Sequence, residues 1–254
     1  MLLRRITQHV KDQNWFAVAI DFAIVVFGVF IGIQVANWNE YNGDRKEERL
    51  ILERLQDQLS LAEIRTNAIE DFDIFDLAAL SSAREVLFGV SARKTLTPEE
   101  CNSVAVSNIH LNFADSIPIL QELESSGKLG LIENQSIITA LANYSNAAKA
   151  EAEIIIEFRT FRVELTTQFP DLLTAELTPD QSSQYFEEVG AYDRTFKCDV
   201  EKMLTDREFL NAFGINASHS LGVFELGTLP KNKALQDLKA AVDSALGVST
   251  SESN

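Results

Sequence analysis

Ligand-forming side chains are scarce in this chain: its 254 residues include three histidines and two cysteines. His9 precedes the apolar run described below, so His110 and His219 are the only imidazoles beyond it. Neither has a carboxylate or a second histidine three or four residues on. Zinc and di-iron sites gather ligands at such spacings, so this pattern argues against both. Asp71, Asp73 and Asp76 lie close together, but helical spacing spreads them around a surface, and no EF-hand loop is present. They read as a solvated helix face. Gly-x-Ser-x-Gly, a Walker loop and a dinucleotide glycine fingerprint are all missing, leaving no catalytic residue and no cofactor or metal site to name. The expectation is a noncatalytic protein.

Basic charge is also short. Lysine and arginine number 22 against 38 aspartates and glutamates, and residues after 36 carry 19 basic against 36 acidic groups, a net charge of −17. Such a field excludes nucleic acid as a partner and favours solubility or cationic partners. Pro/Gly/Ser-rich linkers and convincing alternating strands are missing as well. VAVSNIHL at 104–111 is the best strand candidate, and it is short. The fold class is therefore all-α, with residues 38–247 as one helical domain and the tail VSTSESN at 248–254 disordered.

What is present is one long apolar run, WFAVAIDFAIVVFGVFIGIQVAN at 15–37, with no second. At about 1.5 Å per helical residue it covers roughly 34 Å, enough for a hydrocarbon core of about 30 Å. It exceeds the apolar stretch of a signal peptide, and Gln34 stands where cleavage after Ala36 would need a small residue. The run reads as an uncleaved signal anchor, with 1–14 as a cytoplasmic N-terminus. Trp15 and Trp38 bracket it at the two headgroup regions. Flanking charges tie: Arg4, Arg5 and Lys11 precede it, and Arg45, Lys46 and Arg49 follow among acids. Size breaks the tie, placing the large domain outside the cytoplasm.

Asp21 is an acid within the span, where ionisable groups usually face a partner or a water path. At about 100° per residue, Ala17, Asp21, Gly28, Gly32 and Ala36 share one face, and Gly28 to Gly32 is a GxxxG pattern. Self-association or a membrane-protein partner is the expectation for that face. Cys101 and Cys198, an even pair in an oxidising compartment, invite a disulfide, with two buried free thiols as the alternative.

Along the outer region, Leu52, Leu55, Leu59, Ala62 and Ile69 step as a helix that loses its seam at Thr66 and Asp73. Phe72, Phe75 and Leu80 carry an apolar face on to Gly89. Thr97-Pro98-Glu99-Glu100 is a helix start with a capping box. A second start falls at Asp115 and Ser116, with Ile117, Leu120 and Leu123 on one face and Gly127 as terminator. The longest helix is expected over 135–169, stopped by Pro170. Thr178-Pro179 and Thr205-Asp206-Arg207-Glu208 mark further starts, Pro230 interrupts, and 233–246 is the last amphipathic helix. Together these predict an N-terminal transmembrane helix followed by an elongated antiparallel helical bundle.

The run from Asp21 through Gly28 and Gln34 to Asn37-Trp38-Asn39-Glu40 resembles the opening of a bacterial family of uncharacterised single-pass membrane proteins. Leu123, Ser126, Gly127, Lys128, Leu129 and Ile132, followed by Leu141 and Tyr144, resemble that family's Leu-x-x-Ser-Gly-x-Leu-x-x-Ile segment. The resemblance covers residues 1 to about 145. It implies a domain of unknown function anchored in a Gram-negative inner membrane with its bulk in the periplasm, and it brings no catalytic residue. Two functions fit: an interaction, scaffold or sensing module, or an accessory subunit of an ion-driven membrane complex that uses Asp21.

Overall fold

The computed structural model describes residues 15–109, 117–179 and 192–248, without the side chains of residues 15–19, 21, 71, 72, 178, 179, 192 and 193. Two compact units divide the chain, Met1–Leu52 and Glu53–Asn254. The described residues are predominantly helical, in the all-α class, with one added hairpin.

Helix α1 (Trp15–Leu87) contains the apolar run. In the first unit its large apolar side chains are exposed around the helix, among them Phe22, Phe27 and Ile31. Among the described residues it is the one helix long and apolar enough to cross a membrane. Beyond the run, Arg45 lies over the Tyr41 ring and pairs with Glu48 one turn on.

In the second unit, α1 buries Leu55, Leu59, Ala62 and Thr66, then Leu80, Ala83 and Val86. The seam therefore continues through Thr66, whose small side chain fits the stripe. Phe75, in contrast, is 61% exposed, so the expected apolar face does not pass through it. The helix closes in a Schellman motif: Gly89 takes φ 75°, its N–H donates to the Val86 carbonyl, and the Val90 N–H donates to Glu85.

Helix α2 (Pro98–Val106) starts as its sequence demands, with Thr97 and Glu100 each accepting from the other's backbone N–H. It takes in Val104–Val106 of the expected strand; residues 110 and 111 of that segment lie outside the described residues. Helix α3 (Pro118–Ser126) has Ile117 as its cap residue without a capping side chain. Gln58 of α1 supplies the missing acceptor to the Ile119 N–H at 3.0 Å. The start expected at Asp115 and Ser116 lies outside the described residues. Gly127, at φ 73°, ends α3 and leads into a 3₁₀ turn at Lys128–Leu131.

Helix α4 (Gln135–Phe161), capped by Asn134, stops eight residues before the expected end. The cause is Asn216, a fully buried side chain. Its Oδ1 accepts from the Val163 N–H at 3.0 Å and its Nδ2 donates to the Val163 carbonyl at 2.7 Å. A neighbouring helix thus takes both backbone groups that continued α4 would use. The chain resumes as α5 (Leu165–Gln168) and then forms a hairpin, β1 (Leu173–Pro179) antiparallel to β2 (Tyr192–Cys198). Thr178-Pro179 is therefore the end of a strand and not a helix start. Pairing in register from Leu173 with Cys198 to Pro179 with Tyr192 satisfies this backbone instead.

Helix α6 (Val200–Met203) precedes α7 (Arg207–Val223), which is capped by Asp206 and not Thr205. A π-helical stretch, Phe224–Thr228, then runs straight into α8 (Leu229–Leu246). Pro230 therefore does not break the path. Its ring would collide with the carbonyl four residues back, and the widened turn, in which the Leu229 N–H reaches Phe224, absorbs that conflict.

The core joins Leu80, Ala83 and Leu87 of α1 to Val104, Leu165, Phe196, Met203, Phe209 and Phe213. Cys101 and Cys198 are disulfide-bonded, Cα atoms 5.8 Å apart, fastening the hairpin to α2. Asn102 adds to this by accepting from the Phe196 N–H.

Candidate functional site

Charged and polar groups, some buried and some half-buried, converge within the second unit. Helix α1 supplies Thr66, Glu70, Asp73 and Asp76, α2 supplies Ser103, α4 supplies Glu151, and the π stretch with α8 supplies Thr228, Lys231 and Asn232. Lys231 Nζ lies 2.8 Å from Glu151 Oε2, with both side chains only 9% exposed. Removing either partner would leave a bare charge in low dielectric, a loss of about 3–5 kcal/mol. Glu70 accepts from Asn232 Nδ2 at 2.7 Å, and Asp76 accepts from the Ser103 hydroxyl. Asn232 is 3% exposed and its Oδ1 has no hydrogen-bond partner among the described residues.

The π stretch positions this layer. A Cβ on Gly227 would lie 3.3 Å from the Cα of Glu151, so glycine lets the widened turn seat directly on α4. Thr228 through Asn232 are thereby carried to Glu151 and Glu70. Asp73 is half-buried here. Burial first, then Asp76 and Glu151, push its carboxyl up to about 6, while Lys231 opposes and Glu70 adds to the rise. Asp73 and Asp76 are therefore half-buried and not the solvated face expected from spacing, which considered α1 alone; the side chain of Asp71 lies outside the described residues.

Nearer the hairpin, Arg93 clamps Glu100 with Nη2 2.6 Å from Oε1. Arg93's hydrogen bonds lower the Glu100 carboxyl to about 2 against the effect of burial, helped by Ser82 and the Thr97 N–H. His219 stacks on Phe158 at 4.6 Å, a packing role; His110 and His9 lie outside the described residues. An open depression includes Phe169, Asp171, Lys202, Asp206 and Arg207, but Asp206 caps α7 and Lys202 pairs with Asp199. Among the described residues no group of three or more His, Cys, Asp or Glu is placed to hold a metal ion.

In the apolar run, Ala17 and Asp21 belong to α1, and their side chains lie outside the described residues, as does that of Trp15. Gly28, Gly32 and Ala36 are exposed, and nothing stands within 4 Å of a Cβ built on either glycine. Trp38 is 68% exposed. Sequence spacing missed Glu151, Lys231 and Asn232 because they meet only through packing; the one signal was a lysine and an asparagine directly after Pro230, at the start of an amphipathic helix.

No protein-family model, curated protein or solved structure matches this chain.

Proposed function

We propose that the protein is a noncatalytic, single-span anchored module of the bacterial inner membrane, with its helical domain in the periplasm and an interaction, scaffold or sensing role. The observation that carries this reading is the bare apolar surface of α1. Phe22, Val25, Phe27, Val29, Phe30 and Ile31 are each more than half exposed. Burying one such side chain yields about 1.5–3 kcal/mol, so lipid or another apolar helix is the natural cover for the stretch. The acidic domain agrees with a soluble module beside the membrane and not one adsorbed to anionic lipid. The resemblance in Asp21, Gly28, Gln34 and Asn37 to Glu40 supports the same family of anchored proteins.

Gly28 and Gly32 support association within the span. Each glycine inside a helix costs about 1 kcal/mol relative to alanine, and no neighbour among the described residues requires either to be small. A second helix approaching at GxxxG supplies a reason. Protease treatment of intact spheroplasts tests the topology, and crosslinking in membranes followed by purification tests the role. Digestion of the domain from outside together with a crosslinked partner or second copy is expected. Protection until lysis, or recovery only as a lone monomer, would overturn the corresponding half of the proposal.

A further inference from the structure

We propose that the layer formed by the half-buried Glu70, Asp73 and Asp76 on α1 and the buried Glu151 on α4 and Lys231 on α8 is a proton-operated latch. Acidification tightens α1 against α4 and α8, and alkalinisation loosens it. This goes beyond the anchoring role and stands without it, because it rests only on packing within the second unit.

The charge inventory comes first. Facing Asp73 are Glu70 and Asp76 from its own helix, Glu151 from α4 and Lys231 from α8. The neighbouring α2 adds the uncharged Ser103, bonded to Asp76. Among the described side chains, four carboxylates therefore surround one ammonium, which lies 2.8 Å from Glu151.

Donors are short in the same way. Asn232 serves Glu70 and Ser103 serves Asp76, while Asp73 receives no hydrogen bond among the described residues. On the acceptor side, Asn232 Oδ1 is buried without a partner among the described residues. A proton on Asp73 removes one negative charge and adds one donor where both are needed.

Transmission follows from the π stretch, whose Gly227 rests on the backbone of Glu151, so the layer and the widened turn cannot move independently. The raised affinity of Asp73 for its proton, with a midpoint near 6, starts the response at about pH 7 and carries it down to the ordinary carboxyl value of 3.8. Because the folded chain holds this proton more tightly than the unfolded chain, packing is strengthened as pH falls through that window.

Hydrogen exchange of the full chain in detergent micelles, corrected for intrinsic rates, tests the latch. Between pH 7.5 and 5.5, protection of segments 66–76, 148–154 and 224–232 is expected to rise about threefold, a little under the roughly fourfold that a midpoint near 6 permits over this interval. Segment 207–213 of α7, which supplies no residue to the layer, serves as the control and should not respond. In Asp73→Asn the rise should vanish, and Asp73→Ser replaces that variant if it fails to fold. A wild-type protein with pH-independent protection would overturn the proposal, as would a folded variant that keeps the rise.

Discussion

Glu100 and Asp73 are two acids driven in opposite directions, and the contrast makes a pH prediction. Glu100 is buried with Arg93, Ser82 and the Thr97 N–H donating to it, so its folded affinity for a proton falls to about 2. Its contribution is full above the unfolded carboxyl value near 4.5 and is lost as pH drops through the folded value. Asp73 works the other way, adding stability as pH falls from about 7. The two groups together should therefore put the stability maximum near pH 4, as urea unfolding at half-unit intervals would show. Glu100→Gln is expected to cost about 2–3 kcal/mol at pH 7, shrinking toward zero between pH 5 and 2. Equal loss at pH 7 and pH 3 would refute the assignment. Half of this cluster was legible in sequence: Thr97 to Glu100 form a capping box from four consecutive residues, so local spacing suffices. Arg93 and Ser82 reach Glu100 from a loop and from α1, and no local pattern records that.

Elements are legible where their ends are local and obscure where a distant group decides. Gly89 and Gly127 terminate helices because their positive φ suits glycine, a property carried by one residue. The end of α4 is different, since Asn216 comes from α7 across 53 positions of sequence. Asn216→Ala strands both backbone groups of Val163 and should lower stability by about 3 kcal/mol, measured by thermal unfolding. A loss within 0.5 kcal/mol, about the effect of a surface substitution, would show that water or a re-formed α4 turn replaces it. The Thr-Pro pair gives the same lesson, opening a helix at 97 and ending a strand at 178. Only the second has a partner strand 14 residues on, fastened through Cys198 to Cys101. That bond closes a loop of 97 residues, worth up to about 4.7 kcal/mol by chain entropy. Replacing both cysteines by serine should lower unfolding free energy by about 2–5 kcal/mol and expose the hairpin to limited proteolysis.

For the molecule as a whole, the sequence states the class of object more clearly than the site does. A 23-residue apolar run and helical periodicity need no knowledge of neighbours, so the candidate span and the all-α class are both legible. The polar layer needs three helices placed together, and spacing along one of them pointed to solvent. The proposed association face lies between these cases, because a lone helix can display Gly28 and Gly32 but cannot show what covers them. The double variant Gly28→Leu, Gly32→Leu separates the possibilities. A Cβ at either position would meet no atom within 4 Å, and leucine favours helix by about 1 kcal/mol at each, so insertion and domain stability should be unchanged. Close approach of a second helix, however, would be blocked by two side chains on its contact face. Crosslinking in native membranes should therefore lose the associated species at least tenfold while the monomer remains membrane-integrated. Retention of the crosslinked species at wild-type yield would mean that the glycines do not form the contact, and association would have to run through a different face of α1.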